Sequence, residues 1–99
     1  MEEKLVEIFN HFGYEKQRLK LAEEYQELQD EIFYIYDFGS DRDNLLSEVA
    51  DVIILVLQFA FEYGYSKEDI EKMIKHKIDR TIDRIEEGYY ENERDKNNI

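Results

Sequence analysis

The most apolar stretch of this chain, Val49-Ala50-Asp51-Val52-Ile53-Ile54-Leu55-Val56-Leu57-Gln58-Phe59-Ala60-Phe61, keeps a carboxylate near its start. Val52 to Leu57 alone would suit a buried strand. The run continues to Phe61 without a turn signal, past the usual length of a strand, and reads as a helix. A helix without a polar face has to be covered on every side. Three or four helices of one subunit can hardly do that, so an oligomer with this helix at its centre is expected. At 13 residues the run is short of the roughly 20 that span a bilayer. With Asp51 inside it, a buried core helix is the expectation.

Glycine punctuates the rest. There is no proline, and Gly13, Gly39, Gly64 and Gly88 each follow a helical pattern, as glycine does just past a helix end. Four helical segments are predicted, at roughly 2–12, 14–38, 42–63 and 67–87. Ser66 with Asp69 forms a capping-box variant opening the last, and the Asp41 to Asp43 region caps the third. Leu21, Tyr25, Leu28, Ile32 and Ile35 make the seam of the second helix. In the fourth the stripe runs through Ile70, Met73 or Ile74, Lys77 or Ile78, Thr81 or Ile82, and Ile85. The fold class is therefore all-α, a compact bundle of about four helices completed by oligomerisation. One domain spans residues 1–90, and residues 91–99 form a polar, frayed tail.

Composition narrows the function. With 42% hydrophobic residues the chain should fold. Twenty-five acidic residues against 13 basic give a formal charge of −12. That argues against direct contact with nucleic acid or an anionic membrane, and allows anion binding only where a metal reverses the local sign. Cysteine is absent, which suits a cytoplasmic protein. Met1-Glu2-Glu3-Lys4 lacks the basic start and apolar run of a signal peptide.

A buried carboxylate needs a partner. Glu48 stands one turn before Asp51, and Glu24, Glu27 and Glu31 line one flank of the second helix, with Glu23 adjacent. A short connection implies antiparallel packing, which would bring four or five carboxylates together. Like charges so close destabilise the fold or take up protons. A hard divalent cation resolves the conflict, and magnesium takes oxygen ligands and bridges carboxylates to phosphates. The plain alternative is that Glu24 and Glu27 are solvated surface and that Glu48 and Asp51 belong to a helix start. A di-iron bundle would need Glu-x-x-His, yet Ile8 and Met73 stand three residues before His11 and His76. Both histidines read as surface or boundary residues. There is no His-Glu-x-x-His and no glycine-rich phosphate loop.

Glu23-Glu24-x-x-Glu27 followed by Glu48-x-x-Asp51 resembles the signature of the all-α nucleoside triphosphate pyrophosphohydrolases. This MazG-like superfamily also includes dimeric dUTPases and phosphoribosyl-ATP pyrophosphatase. Phe12-Gly13 and Gln17 before the first motif agree with it. The ending Arg80-Thr81-Ile82-Asp83-Arg84-Ile85-Glu86-Glu87-Gly88-Tyr89-Tyr90 is similar to small phage or bacterial members. The resemblance covers roughly residues 9–90.

It implies a magnesium enzyme, with manganese as a substitute, that cleaves a nucleoside triphosphate to the monophosphate and pyrophosphate. By it Glu24, Glu27, Glu48 and Asp51 hold metal, and Glu23 orients or deprotonates the attacking water. Lys77, Arg80 and Arg84 recur at i, i+3, i+7 and are expected either at the leaving phosphates or in ion pairs with neighbouring acids. Tyr89 and Tyr90 stack on a base or cover a subunit boundary. The substrate is a nucleoside triphosphate and the partner a second copy, in a dimer or tetramer. Two rivals remain. One is a narrower member such as a phosphoribosyl-ATP pyrophosphatase; the other is a non-catalytic acidic module that mimics DNA charge to bind a basic protein.

Overall fold

A computed structural model describes residues 1–39 and 42–88, with the side chains of residues 42 and 43 outside the description. Four helices run in order, α1 (Glu2–Phe12), α2 (Tyr14–Phe38), α3 (Arg42–Glu62) and α4 (Lys67–Glu86). No strand occurs among the described residues. The fold is all-α, and the helix ends fall within one residue of those predicted. The chain divides into two units, Met1–Tyr65 and Ser66–Ile99. The expected cap at Asp41 to Asp43, the tyrosines at 89 and 90, and the tail at 91–99 lie outside the described residues or side chains.

In the first unit α2 and α3 pack along each other, and α1 lies against both. α2 is rich in Glu, Lys, Gln and Leu, good helix formers, and carries local side-chain pairs. Arg18 donates to Glu15 at 3.0 Å, and Gln26 donates to Asp30 at 2.9 Å. Its inward face keeps Leu21, Leu28 and Ile35 of the predicted seam but not the other two residues. Tyr25 and Ile32 are 58% and 46% exposed, while Gln17, Leu21, Glu24, Leu28, Glu31 and Ile35 are buried or half-buried. Glu24 and Glu31 take the places of Tyr25 and Ile32, each one position away and about 100° round the helix, so that polar positions alternate with apolar ones at the contact.

The apolar core of this unit is small. Leu5, Phe9 and Leu55 are its buried hydrophobic residues. The Phe59 ring meets Phe9 edge-on at 5.2 Å and Tyr14 at 5.9 Å, each such pair contributing about 0.5–1.5 kcal/mol beyond its buried area. α3 packs on α1 and α2, but Ile53, Ile54 and Val56 stay open to solvent. Among the described residues, α1 and α2 leave part of this helix uncovered. Asn44–Glu62 is long and apolar enough to cross a membrane by length and composition alone; here its inner face carries Glu48, Asp51 and Gln58 against α2.

The α1–α2 link is a single residue. The Gly13 N–H donates to the Phe9 carbonyl at 2.8 Å, while the Gly13 carbonyl accepts from the Gln17 N–H at 3.1 Å. Gly13 thus closes one helix and opens the next, at φ 88°, ψ 163°, a region that belongs essentially to glycine. Gly39 sits at φ 71°, ψ 54°, the ordinary left-handed region that asparagine also tolerates.

In the second unit α4 opens with the predicted capping box. The Asp69 N–H donates to Ser66 Oγ at 3.1 Å, and the Ser66 N–H donates to Asp69 Oδ2 at 2.8 Å. These bonds hold the Asp69 carboxyl below its ordinary range, the backbone bond from Ser66 contributing most.

A Cβ at Gly13 or Gly39 would meet nothing within 4 Å, so substitutions there report backbone strain alone. Gly13→Asn is expected to destabilise the fold by about 1–3 kcal/mol, and Gly39→Asn by clearly less. Urea unfolding of the two variants checks this; equal losses would contradict the assigned conformations.

Candidate metal centre and adjoining cleft

α2 and α3 run antiparallel. Along their contact residue 17 meets 58, residue 24 meets 51, and residue 27 interacts with 48. On each helix the acidic residues are three apart, one turn on one face. The antiparallel register stacks those turns opposite each other. Glu23, Glu24 and Glu27 bring one carboxylate oxygen each within 4.8 Å of one another, and so do Glu24, Glu48 and Asp51. All five acidic residues expected at the site therefore fall into two triads that share Glu24.

Glu24 is the pivot. It is only 7% exposed, and its Oε1 accepts from Lys20 Nζ at 2.9 Å. Lys20 also lies 4.0 Å from Glu23 Oε1, and these carboxylates raise its pKa, Glu24 most of all. Glu24 Oε2 and Glu48 Oε2 are buried without a hydrogen-bond partner among the described residues. Repulsion from Glu24 first, then desolvation, pushes the Glu27 carboxyl up. For Glu48 desolvation comes first, then Glu24 and Asp51. One ammonium does not neutralise this group. Two orphaned, buried carboxylate oxygens inside an all-oxygen donor set fit a hard divalent cation.

A cleft of about 620 Å³ opens beside the triads among α1, α2 and α3. Glu24 and Asp51 stand at its acidic end, and Lys16 and Lys20 on its α2 wall. Ile8, Phe12, Ile54 and Leu55 supply apolar lining. Gln17 and Gln58, 6% and 1% exposed, line it as well, with Gln17 Nε2 donating to Gln58 Oε1 at 2.7 Å.

The sequence reading missed Lys16, Lys20 and Gln58. A signal for Gln58 was present: it is the second polar residue in the apolar run that drew attention to Asp51. Lys20 stands four residues before Glu24, a spacing that makes helical ion pairs. Lys77, Arg80 and Arg84 lie on α4, in the second unit, and are half-buried there. The described ion pairs of α4 are Lys67–Glu71 and Lys75–Asp79. Arg80 Nε is buried without a hydrogen-bond partner among the described residues, whereas Arg84 is engaged. Both histidines are exposed, as expected.

A carboxyl group with a raised folded pKa binds its proton more readily in the folded chain than in the unfolded one. Its stabilising contribution is complete below the ordinary glutamate value of 4.5 and is lost as pH rises through the folded value. Without metal, Glu48→Gln is therefore expected to be more stable than the wild-type protein at pH 8. The gap should close as pH falls toward 4.5. Thermal unfolding in chelator at several pH values checks this, and a gap that widens on acidification would contradict it.

Comparison with known proteins gives a family match. The profile of the MazG nucleotide pyrophosphohydrolase domain matches residues 12–87, a span that contains all five acidic residues. No curated protein and no solved structure gave a significant match. Since the matched span is most of the chain, the protein belongs to the MazG nucleotide pyrophosphohydrolase domain family.

Proposed function

We propose that this chain is a magnesium-dependent hydrolase that cleaves ribo- or deoxyribonucleoside triphosphates to the monophosphate and pyrophosphate. The observation that carries this reading is the pair of carboxylate triads sharing buried Glu24, set at the end of a cleft that also offers two lysines. Glu24, Glu27, Glu48 and Asp51 would hold the ion, with manganese as a substitute. Such an ion, when bound, offsets charge on phosphate oxygens and favours attack by water.

The residues divide the remaining work. Glu23 is the member of the first triad left out of the metal set and is exposed, so it can orient a water and accept its proton. That water adds to the α-phosphorus, and the bond from this phosphorus to the oxygen bridging it to the β-phosphorus breaks. Pyrophosphate leaves with that oxygen. Lys16 and Lys20 line the cleft and would offer cations to the phosphates. Lys77, Arg80 and Arg84 are retained as further phosphate contacts. The open apolar surface of α3 supports assembly as a homo-oligomer, a dimer or tetramer, acting in the cytoplasm without direct nucleic-acid or membrane binding. Burial of Glu24 runs against a charge-mimic module, whose carboxylates would all face outward.

The test is anion-exchange analysis of products from a panel of nucleoside triphosphates, with phosphoribosyl-ATP included, in the presence and absence of Mg2+. Monophosphate plus pyrophosphate, formed only with metal, is expected. Glu27→Gln and Asp51→Asn should abolish turnover while keeping or raising the stability of the metal-free fold. Mg2+ should raise the wild-type Tm and do little for either variant. Turnover of no substrate, or equal Tm responses in all three proteins, would count against the proposal.

A further inference from the structure

Resting on the pyrophosphohydrolase reading, we propose that the Gln17–Gln58 amide pair is the element of the cleft that reads the nucleobase. Seven residues separate Gln17 from Glu24 on α2, and seven separate Asp51 from Gln58 on α3. At helical rise that places the amides about 10 Å along the axis from the carboxylates. This span is comparable with that from an α-phosphate to the far edge of its base. Both ends line one cleft, with apolar Phe12, Ile54 and Leu55 on its walls. A charged end, an apolar wall and a polar floor at this spacing match a phosphate, a ring face and a ring edge.

Among the described residues the hydrogen bonding of the pair is only partly used. The bond from Gln17 Nε2 to Gln58 Oε1 takes one donor position and one lone pair. Each side-chain amide has two N–H groups and a carbonyl with two lone pairs. The pair therefore retains both donors and acceptors, side by side, the complement that glutamine uses to read a base edge bidentately. At 6% and 1% exposure these groups are shielded from water, so a base with the wrong edge would leave them unpaired. That is how a buried polar site gains selectivity. The mutual bond fixes where the two amides stand, and in this proposal the remaining positions meet the base. A pair that only clamps α2 to α3 would be indifferent to the base.

Two measurements test this, one of them independent of turnover. The 15N-labelled protein in EDTA is titrated with the four deoxynucleosides and, separately, with deoxyribose. The side-chain amide signals of Gln17 and Gln58 are assigned through Gln17→Met and Gln58→Leu. At least one nucleoside, and not deoxyribose, should shift both amide signals. In the folded variants the ratio of kcat/KM between the best and worst base should move by about tenfold, the effect of one lost hydrogen bond. A uniform loss with the wild-type ratios retained would make the pair an interhelical clamp and overturn the proposal. A wild-type protein inactive on every triphosphate would overturn the hydrolase reading instead. The titration then decides the base site by itself, and amide signals unmoved by every nucleoside would overturn it too.

Discussion

The contact between α2 and α3 governs this structure, because it is built largely from groups that resist burial. Glu24, Glu31 and Gln17 of α2 occupy inward positions that leucine or isoleucine would fill in an ordinary helix pair, and α3 answers with Glu48, Asp51 and Gln58. Carboxylates at this separation repel, and burial penalises each charge further. Packing nearby offsets that cost. The Phe59 ring is fixed against Phe9 and Tyr14, and the Gln17–Gln58 bond ties the two helices together. The apolar packing and the amide bond hold in place an electrostatic arrangement that would otherwise spread apart.

Seen this way, the acidic end and the amide end of the cleft are two parts of one register. The antiparallel run that sets residue 24 opposite 51 also sets residue 17 opposite 58, so one geometric relation positions both ends. Lys20 lies between them, ion-paired to Glu24, where it partly offsets the acidic charge in the metal-free protein. A cation bound at Glu24 would compete with that ammonium. Membership of the MazG nucleotide pyrophosphohydrolase domain family agrees with a site of this kind.

Much of this was legible in the sequence. The glycines marked the helix ends, and Ser66 with Asp69 marked the start of α4. Asp51 drew attention because a charge inside an apolar run requires an explanation, and the acidic spacing of three supplied one. The face of α2 was harder to read. Hydrophobicity picked out Tyr25 and Ile32 as seam residues, but the helix turns Glu24 and Glu31 inward instead. Periodicity cannot separate neighbouring positions about 100° apart when the inward position is taken by a carboxylate. Gln58 was overlooked because an amide in an apolar run costs less than a charge and raises less suspicion. The isoleucines of α4, from Ile74 to Ile85, are about half exposed, and Ile53, Ile54 and Val56 of α3 remain open, so apolar patterning also registered surfaces that the described residues do not bury.

The most direct measurement of the central claim is a titration of the wild-type protein and Glu24→Gln with Mn2+, following the free ion by its electron paramagnetic resonance signal with no nucleotide present. If buried Glu24 joins both triads, the wild-type protein should deplete the free-ion signal and the variant, folded to the same helical content, should lose most of that binding. Equal uptake of Mn2+ by the two proteins would contradict the account, because the carboxylates at the α2–α3 contact would then not be the ligands.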